Sequence, residues 1–459
     1  MQRRLTVRLP GAQLASRLSW AFVSYGSNSA VRIIGNVVLT RLLAPQIFGI
    51  MVIVNTLRTG MELLSDIGVG QSIVADRRGE DPDFYATAWT LQVARGLILT
   101  VLFALAAIPL AALYGGGILL PVMQVSALFL LITGFQSVGR YIALRQQRLR
   151  RLALLEIGVQ SAVMAAQVAL AWVWPTVWAL VIGALIGAIM TTLASYRIVP
   201  GLVMRFRVHR PSVHAIVHFS KWIFLSSIVY FAASNFDRLY LGTVVPLAVL
   251  GVFGIARGLA DVFASLINQL GNMVLFPAIA QARLGGVDIR TKLGELRAPL
   301  LAAAGFLIAA LIAVSDTLVT FLYDARYHDA AFMLPVLAGG LWFTVLATVG
   351  EAVLLGIGRP VYAALANSAK FAWLIAMVPI GIGTAGITGA VLAIALGDLI
   401  RYLVLLFGQA RERLAFGVQD LALTAAFVAT AVGLREATGA VGLSSGLTEW
   451  WPALAGLAG

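Results

Sequence analysis

A succession of apolar runs, each of about 20 residues or more, most constrains what this chain can fold into. A run of that length can cross the hydrocarbon core of a bilayer as an α-helix. Lipid offers no partner for backbone N–H and C=O groups, so a spanning segment must satisfy them internally. Only 12% of the 459 residues are charged, whereas an ordinary soluble domain carries about 25%. The sequence therefore predicts an all-α polytopic membrane protein.

Thirteen such runs are separated by short loops, and a shorter apolar stretch near residues 440–459 leaves a fourteenth crossing open. The first six runs lie near residues 18–40, 46–74, 84–113, 118–143, 151–173 and 176–198. The next seven lie near residues 215–242, 246–280, 296–322, 330–356, 360–382, 385–408 and 417–435. We therefore predict 12–14 transmembrane helices.

The basic residues predict how these helices are oriented. The formal net charge is +13, and Lys and Arg gather in alternate loops, such as those around Arg77 and Arg148. The intervening loops, around Pro45 and Trp174, are nearly free of them. This alternation is the positive-inside pattern, and it predicts a cytoplasmic N-terminus. It also argues against a basic surface for nucleic acid.

Two parts of the chain share unusual intramembrane positions. A constant offset of 199 residues aligns Arg58 with Arg257 and Glu62 with Asp261. Transporters are commonly built from duplicated lobes. Since each predicted lobe has an even number of spans, both begin on the same side of the membrane. We therefore predict a parallel repeat with a pseudo-two-fold axis along the membrane normal and a cavity between the lobes.

The predicted division of the chain is a six-helix lobe at residues 1–200, a basic cytoplasmic linker at 201–214, a six-helix lobe at 215–410 and one or two additional helices at 411–459. The linker reads VMRFRVHRPSVH from Val203 to His214, with basic and apolar residues alternating. It is either a loop that only fixes topology or an interfacial element that binds anionic lipid.

Charged residues recur inside the predicted spans, where they are costly unless they face the protein interior. In the second span Arg58, Glu62 and Asp66 recur every four residues, which places them on one helix face. The candidate cavity cations are Arg32, Arg58, Arg238 and Arg257. The candidate charge-balancing or proton-coupling acids are Glu62, Asp66, Asp237 and Asp261. The pattern leaves Arg95, Lys370 and Asp398 without an assigned role.

Two interpretations of these charges remain open. Arg58 with Glu62, and the matching pair in the eighth span, can be internal ion pairs that hold helices in register. Arg32 has no acid one turn away in its own helix, so its partner is a carboxylate on another helix or an anionic ligand. An excess of guanidinium groups in a water-filled cavity suits a diphosphate, because the guanidinium fork binds phosphate oxygens bidentately.

Several function classes find no support in the sequence. There is no cysteine, and the four histidines form no metal-ligand pattern. No nucleotide-binding GxxxxGK[ST] stretch is present, and no loop is long enough to hold a soluble catalytic domain. We therefore predict a protein that is not an enzyme and that has no catalytic residues, metal site or cofactor.

Four stretches resemble a known family. These stretches are Arg41–Gly49 (RLLAPQIFG), Leu64–Gln71 (LSDIGVGQ), Thr243–Leu259 (TVVPLAVLGVFGIARGL) and Phe321–Ala331 (FLYDARYHDAA). They are similar to segments of the bacterial polysaccharide-transporter family, which includes the Wzx-type oligosaccharide flippases of the MOP superfamily. The resemblance extends over most of residues 15–410.

The resemblance implies a flippase that moves undecaprenyl-diphosphate-linked oligosaccharide across the cytoplasmic membrane for exopolysaccharide, capsule or O-antigen synthesis. It also implies alternating access around a cationic cavity, a location in the bacterial inner membrane, and a monomer that contacts membrane lipids and a polysaccharide polymerase or co-polymerase. The alternatives are a lipid-II flippase and a MATE-type multidrug antiporter. An antiporter of that type usually offers an acid to a cationic drug, whereas the first span here offers Arg32.

Overall fold

The computed structural model describes residues 11–65, 68–146, 148–270 and 289–444. Within these ranges all regular secondary structure is helical. The all-α prediction is confirmed.

The helices follow the predicted apolar runs closely. The first eight are α1 (Gly11–Leu42), α2 (Pro45–Leu63), α3 (Val69–Ala75), α4 (Pro82–Leu113), α5 (Leu119–Gly134), α6 (Gly139–Arg145), α7 (Leu149–Val173) and α8 (Val177–Ser195). The rest are α9 (Arg210–Val244), α10 (Leu247–Leu270), α11 (Ile289–Leu322), a 3-10 turn (Ala325–Tyr327), α12 (Ala330–Gly356), α13 (Val361–Arg411) and α14 (Gly417–Ala440).

Membrane-spanning character is widespread among these helices. Within the described residues, eight helices are long and apolar enough to cross a bilayer, and α5 with α6 forms a further candidate that is bent by 50°. The chain is therefore a multi-pass membrane protein. The predicted total of 12–14 crossings stays a prediction.

The predicted run at residues 46–74 forms two helices rather than one. Helix α2 ends at Leu63, and α3 begins after Gly68, whose φ of 60° lies in the left-handed region. Glycine adopts this conformation without the Cβ penalty that other residues carry. The predicted acid Asp66 falls in this break and lies outside the described residues.

Helix α13 contains a break that separates two of the predicted runs. Ala385 and Gly386 have non-helical backbone angles, and Gly386 has a φ of 54°. The two arms meet closely near this break, because a Cβ added to Gly381 would lie 2.5 Å from the backbone of Gly389. The two glycines therefore permit backbone-to-backbone packing of the two arms.

The described helices belong to two compact units. Unit 1 comprises Met1–Leu43 and Arg58–Leu225, and unit 2 comprises Ala44–Leu57 and Ser226–Gly459. The start of α2 therefore belongs to unit 2. There Gly49 and Gly251 allow α2 and α10 to touch, since a Cβ on either would lie 2.0 Å from a backbone oxygen of the other helix.

Unit 2 includes α14, the helix that follows residue 410. Two ion pairs join it to α11: Arg297 with Asp420, and Arg435 with Asp316 at 2.9 Å. The Arg297 and Asp420 side chains are only 1% and 2% exposed, and Tyr402 donates a 2.8 Å hydrogen bond to Asp420. Helix α14 is thus an integral part of the packing of unit 2.

Candidate substrate-binding site

A cavity of about 1000 Å³ lies within unit 1. Helices α1 to α8 all contribute residues to its lining. Polar side chains surround much of it, which is unusual in a protein whose sequence is 60% hydrophobic. Its charged lining residues are Arg32, Glu62, Arg95, Arg140 and Glu156.

Arg32 is the charged lining residue that no described side chain neutralises. It lies on α1, and its side chain is exposed to the cavity. Among the described residues, no carboxylate or other hydrogen-bond acceptor engages its guanidinium group. An arginine keeps its charge in any such setting. Arg32 is therefore available to an anionic ligand.

Arg58 lies against an aromatic ring. Its Cζ atom is 3.8 Å from the centroid of Phe129, a lining residue of the cavity. This is cation–π geometry. The buried Arg58 Nε has no hydrogen-bond partner, and no carboxylate of the described residues forms a salt bridge with the guanidinium. Glu62, one turn further along α2, acts on it only through electrostatic attraction.

The remaining arginines of the cavity are engaged by neighbours. Arg95 donates a 3.0 Å hydrogen bond to Ser65 Oγ and a second bond to the backbone oxygen of Glu62. Arg140 forms a 3.1 Å ion pair with Glu156, and their side chains are 59% and 30% exposed. With Arg32 added, the cavity lining carries more guanidinium groups than carboxylates.

Unit 2 contains a separate cluster of paired charges on α9 and α10. Asp261 bridges two arginines: one carboxylate oxygen binds Arg238, and the other lies 3.2 Å from Arg257 Nε. Asp237 lies 3.9 Å from the same Arg257 nitrogen. Asp237 is 3% exposed and Asp261 is 39% exposed. The four predicted residues of the second half therefore come together.

Helix α13 extends this cluster. Lys370 Nζ lies 2.7 Å from Asp398 Oδ1, which links the two arms of the helix. The Asp398 carboxylate also attracts Arg257 electrostatically. Arg401 forms an ion pair with Glu351 of α12. The sequence pattern did not assign Lys370 and Asp398, because their partners are distant in sequence.

The predicted site residues thus divide between the two units. Arg32 and Glu62 line the cavity of unit 1, with Arg58 beside it, while Asp237, Arg238, Arg257 and Asp261 form the cluster in unit 2. Sequence reasoning missed Arg140 and Glu156 as lining residues, since a basic residue near a helix end is usually topological. Within the described residues, no group of three His, Cys, Asp or Glu is arranged to hold a metal ion.

Solved structures share the fold of this chain. The lipid II flippase MurJ in an inward closed conformation matches with a TM-score of 0.70 and 13% identity, over 90% of this chain and 91% of that one. An inward-facing multidrug resistance MATE family transporter of the MOP superfamily matches with a TM-score of 0.67 and 16% identity, over 89% and 98%. The chain is a multi-pass membrane protein with the fold of these transporters.

Sequence comparison places the chain within a family. Residues 38–332 match the family described as "Polysaccharide biosynthesis protein", and the chain belongs to that family. The predicted membership of the polysaccharide-transporter family is thereby confirmed.

Two curated relatives support the assignment. Lipopolysaccharide biosynthesis protein WzxC of Escherichia coli (strain K12) is 22% identical over 72% of this chain and 65% of its own length. Teichuronic acid biosynthesis protein TuaB of Bacillus subtilis (strain 168) is 21% identical over 65% of this chain and 62% of its own length. The matched part of the chain spans just under two thirds of each relative.

Proposed function

We propose that this protein is a flippase that moves undecaprenyl-diphosphate-linked oligosaccharide across the cytoplasmic membrane. The observation that carries the proposal is Arg32, a charged side chain in a large cavity that no described carboxylate neutralises. A charge at membrane depth is costly without a partner. An anionic head group would supply that partner, and the polyprenyl tail would remain in lipid.

The relatives narrow the chemical class of the substrate. Their names place them in lipopolysaccharide and teichuronic acid biosynthesis. On the basis of the family resemblance, we propose that the substrate of this chain is a lipid-linked oligosaccharide. The excess of guanidinium groups around the cavity suits the diphosphate of such a substrate, since arginine binds phosphate oxygens bidentately.

We assign different roles to the two groups of arginines. Arg32 and Arg58 receive the head group from the cavity of unit 1. Arg238 and Arg257 bind it in a later state, after it displaces Asp261 from between them. Asp261 suits this exchange better than Asp237 because it is more exposed.

The acids have a balancing role in this scheme. Glu62, Asp66, Asp237 and Asp261 would neutralise the arginines when substrate is absent, and one of them would carry a coupling proton. We also propose that residues 1–200 and 215–410 act as two lobes of a parallel repeat that alternate in access. Residues 201–214 would connect them, and residues 411–459 would extend the second lobe.

The cellular setting follows from the same proposal. The protein would lie in the inner membrane with its N-terminus in the cytoplasm, as the alternating basic loops indicate. It would act as a monomer and deliver its substrate to a polysaccharide polymerase or co-polymerase.

Reconstitution tests the proposal. Proteoliposomes would contain a fluorescent polyprenyl-diphosphate oligosaccharide, and a membrane-impermeant sugar-modifying enzyme outside would report its exposure over time. We expect exposure that depends on the protein. Absence of such exposure, both with and without an imposed proton or sodium gradient, would contradict the proposed function.

A further inference from the structure

Glutamine side chains recur around the cavity of unit 1. Gln71, Gln92, Gln136 and Gln160 all line it, and they come from α3, α4, the α5–α6 connection and α7. The resemblance to known transporters gave these residues no role. An amide offers two N–H donors and a carbonyl acceptor in one plane, and adjacent hydroxyl groups of a sugar can use both kinds of partner.

The structure fixes the orientation of Gln92. Its Nε2 donates hydrogen bonds to the backbone oxygens of Gly134 at 3.0 Å and Gln136 at 2.9 Å. These carbonyls lie at or just beyond the C-terminal end of α5, where helical carbonyls lack partners within the helix. The Gln92 Nε2 atom therefore hydrogen-bonds to the protein backbone. No described residue donates a hydrogen bond to its Oε1 atom, so this oxygen can accept one from a ligand.

Two other glutamines remain available. Among the described residues, the amides of Gln71 and Gln160 form no hydrogen bond, although both side chains line the cavity. Gln160 lies one turn after Glu156 on α7, so both project from the same face of that helix. A polar side chain that faces a cavity without a protein partner must bind water or ligand.

Aromatic rings complete the lining. Tyr141 and Phe129 both border the cavity. The ring of Tyr141 packs directly over Gly70, where an added Cβ would lie 2.4 Å from the ring. Gly70 therefore lets this ring lie against α3. Aromatic rings in a lining that also carries amides and a guanidinium suit the apolar faces of a sugar as well as its hydroxyl groups.

We infer that Gln71, Gln92 and Gln160 form a sugar-binding subsite in unit 1 that recognises the first sugars of the head group while Arg32 binds its phosphate. This inference rests on the proposed function and adds a determinant of substrate specificity to it. Sugar hydroxyl groups, rather than lipid or phosphate, are the chemistry that these amides recognise.

The cysteine-free sequence allows a direct test. Gln160→Cys and Gln71→Cys each introduce a single thiol into the full-length protein in detergent, and the rate of maleimide labelling is measured. The probes are farnesyl diphosphate, the same lipid diphosphate carrying a disaccharide, and the free disaccharide. Gln124→Cys is the matched control, because Gln124 is exposed on α5 and is not a lining residue.

We expect the disaccharide-bearing lipid to slow labelling of both cavity thiols by about tenfold, and farnesyl diphosphate to slow it by less than about twofold, since only the former reaches the amides. Labelling of Gln124→Cys should not change. Protection by the free disaccharide would support the sugar site and show that the lipid is dispensable for it. Equal labelling with all probes and without any would overturn the inference.

A second variant measures recognition without a thiol. In Gln160→Leu, binding of the disaccharide-bearing lipid should weaken about fivefold relative to farnesyl diphosphate, and Gln160→Asn should recover part of the difference. An unchanged ratio would contradict the subsite. The two proposals can fail separately. Transport without protection of the cavity thiols from maleimide would refute the sugar-binding subsite. Protection of the thiols without transport would refute the flippase assignment.

Discussion

Two arginine–acid pairs with the same spacing have different surroundings. On α10, Arg257 has carboxylates of Asp261 and Asp237 at 3.2 and 3.9 Å. On α2, Arg58 has the ring of Phe129 at 3.8 Å, and no described carboxylate forms a salt bridge with it. The offset of 199 residues aligns the two pairs in sequence, but it does not predict this difference.

The difference indicates how charge is used in the two units. Among the described residues of unit 2, buried intramembrane charges form pairs, as in Lys370 with Asp398 and Arg297 with Asp420. Unit 1 leaves Arg32 exposed to a cavity. We therefore expect substitutions of buried paired charges to reduce stability, and substitutions of Arg32 and Arg58 to reduce transport with little loss of stability.

The largest loss of stability should come from Arg297→Met. It removes the partner of Asp420, which is 2% exposed, and breaking a buried pair costs about 3–5 kcal/mol. Thermal unfolding in detergent measures the effect. Arg290→Met is the control, because Arg290 lies on the same helix and near the same Phe416 ring but is exposed. Equal effects of the two variants would show that burial of the pair is unimportant.

Adding Asp420→Asn to Arg297→Met sharpens this test. Neutralising the buried carboxylate removes the uncompensated charge while keeping an acceptor for Tyr402. We expect the double variant to recover about half or more of the lost stability. No recovery would indicate that Arg297 acts through packing rather than charge.

We expect Arg257→Gln to lose less stability than Arg297→Met, and Arg58→Gln to lose less than Arg257→Gln. The first leaves the buried Asp237 short of a cation and should cost about 1–3 kcal/mol. The second removes a cation–π contact and should cost about 1 kcal/mol or less. Both should abolish transport in proteoliposomes with membrane insertion retained. Normal transport by both variants would refute the roles that we propose for these arginines.

Among the paired charges, the smallest loss of stability should come from Arg140→Gln. Arg140 and Glu156 form an exposed pair at the cavity, and such pairs contribute about 0–1 kcal/mol. The unfolding temperature should therefore remain close to that of the unsubstituted protein. A loss as large as that of Arg297→Met would show that charges in unit 1 also hold the structure together.

The bounds of the helices could be predicted from the sequence better than the partners of the charged side chains. Apolar runs are a local property, so the bounds of α4, α7 and α12 agree with prediction within a few residues. The break at Gly68 was not predicted, because a glycine within an apolar run carries no sign of its φ angle. The break at Ala385 and Gly386 falls on the first two residues of the run predicted at 385–408, so the apolar pattern placed a boundary within two residues of it.

The proximity of the candidate site residues could be predicted only in part, because helix spacing is local and tertiary packing is not. Residues four apart on one helix, such as Arg257 and Asp261, are neighbours on the helix surface, so the sequence predicts their proximity. The partners of Arg95, Lys370 and Arg140 are 16 or more residues away along the chain, so only tertiary packing brings them together. The cavity glutamines were missed because an uncharged amide within an apolar run leaves no charge pattern in the sequence.

The central claim is that Arg32 binds the substrate and contributes little to the stability of the fold. The most direct measurement is the transport rate of Arg32→Gln in proteoliposomes, alongside its unfolding temperature and the same data for Arg41→Gln, an exposed arginine at the end of the same helix. We predict a loss of transport of about tenfold or more, since a charge-assisted contact to phosphate is removed, with stability unchanged. Transport at the unsubstituted rate, or unfolding of the variant, would contradict the claim.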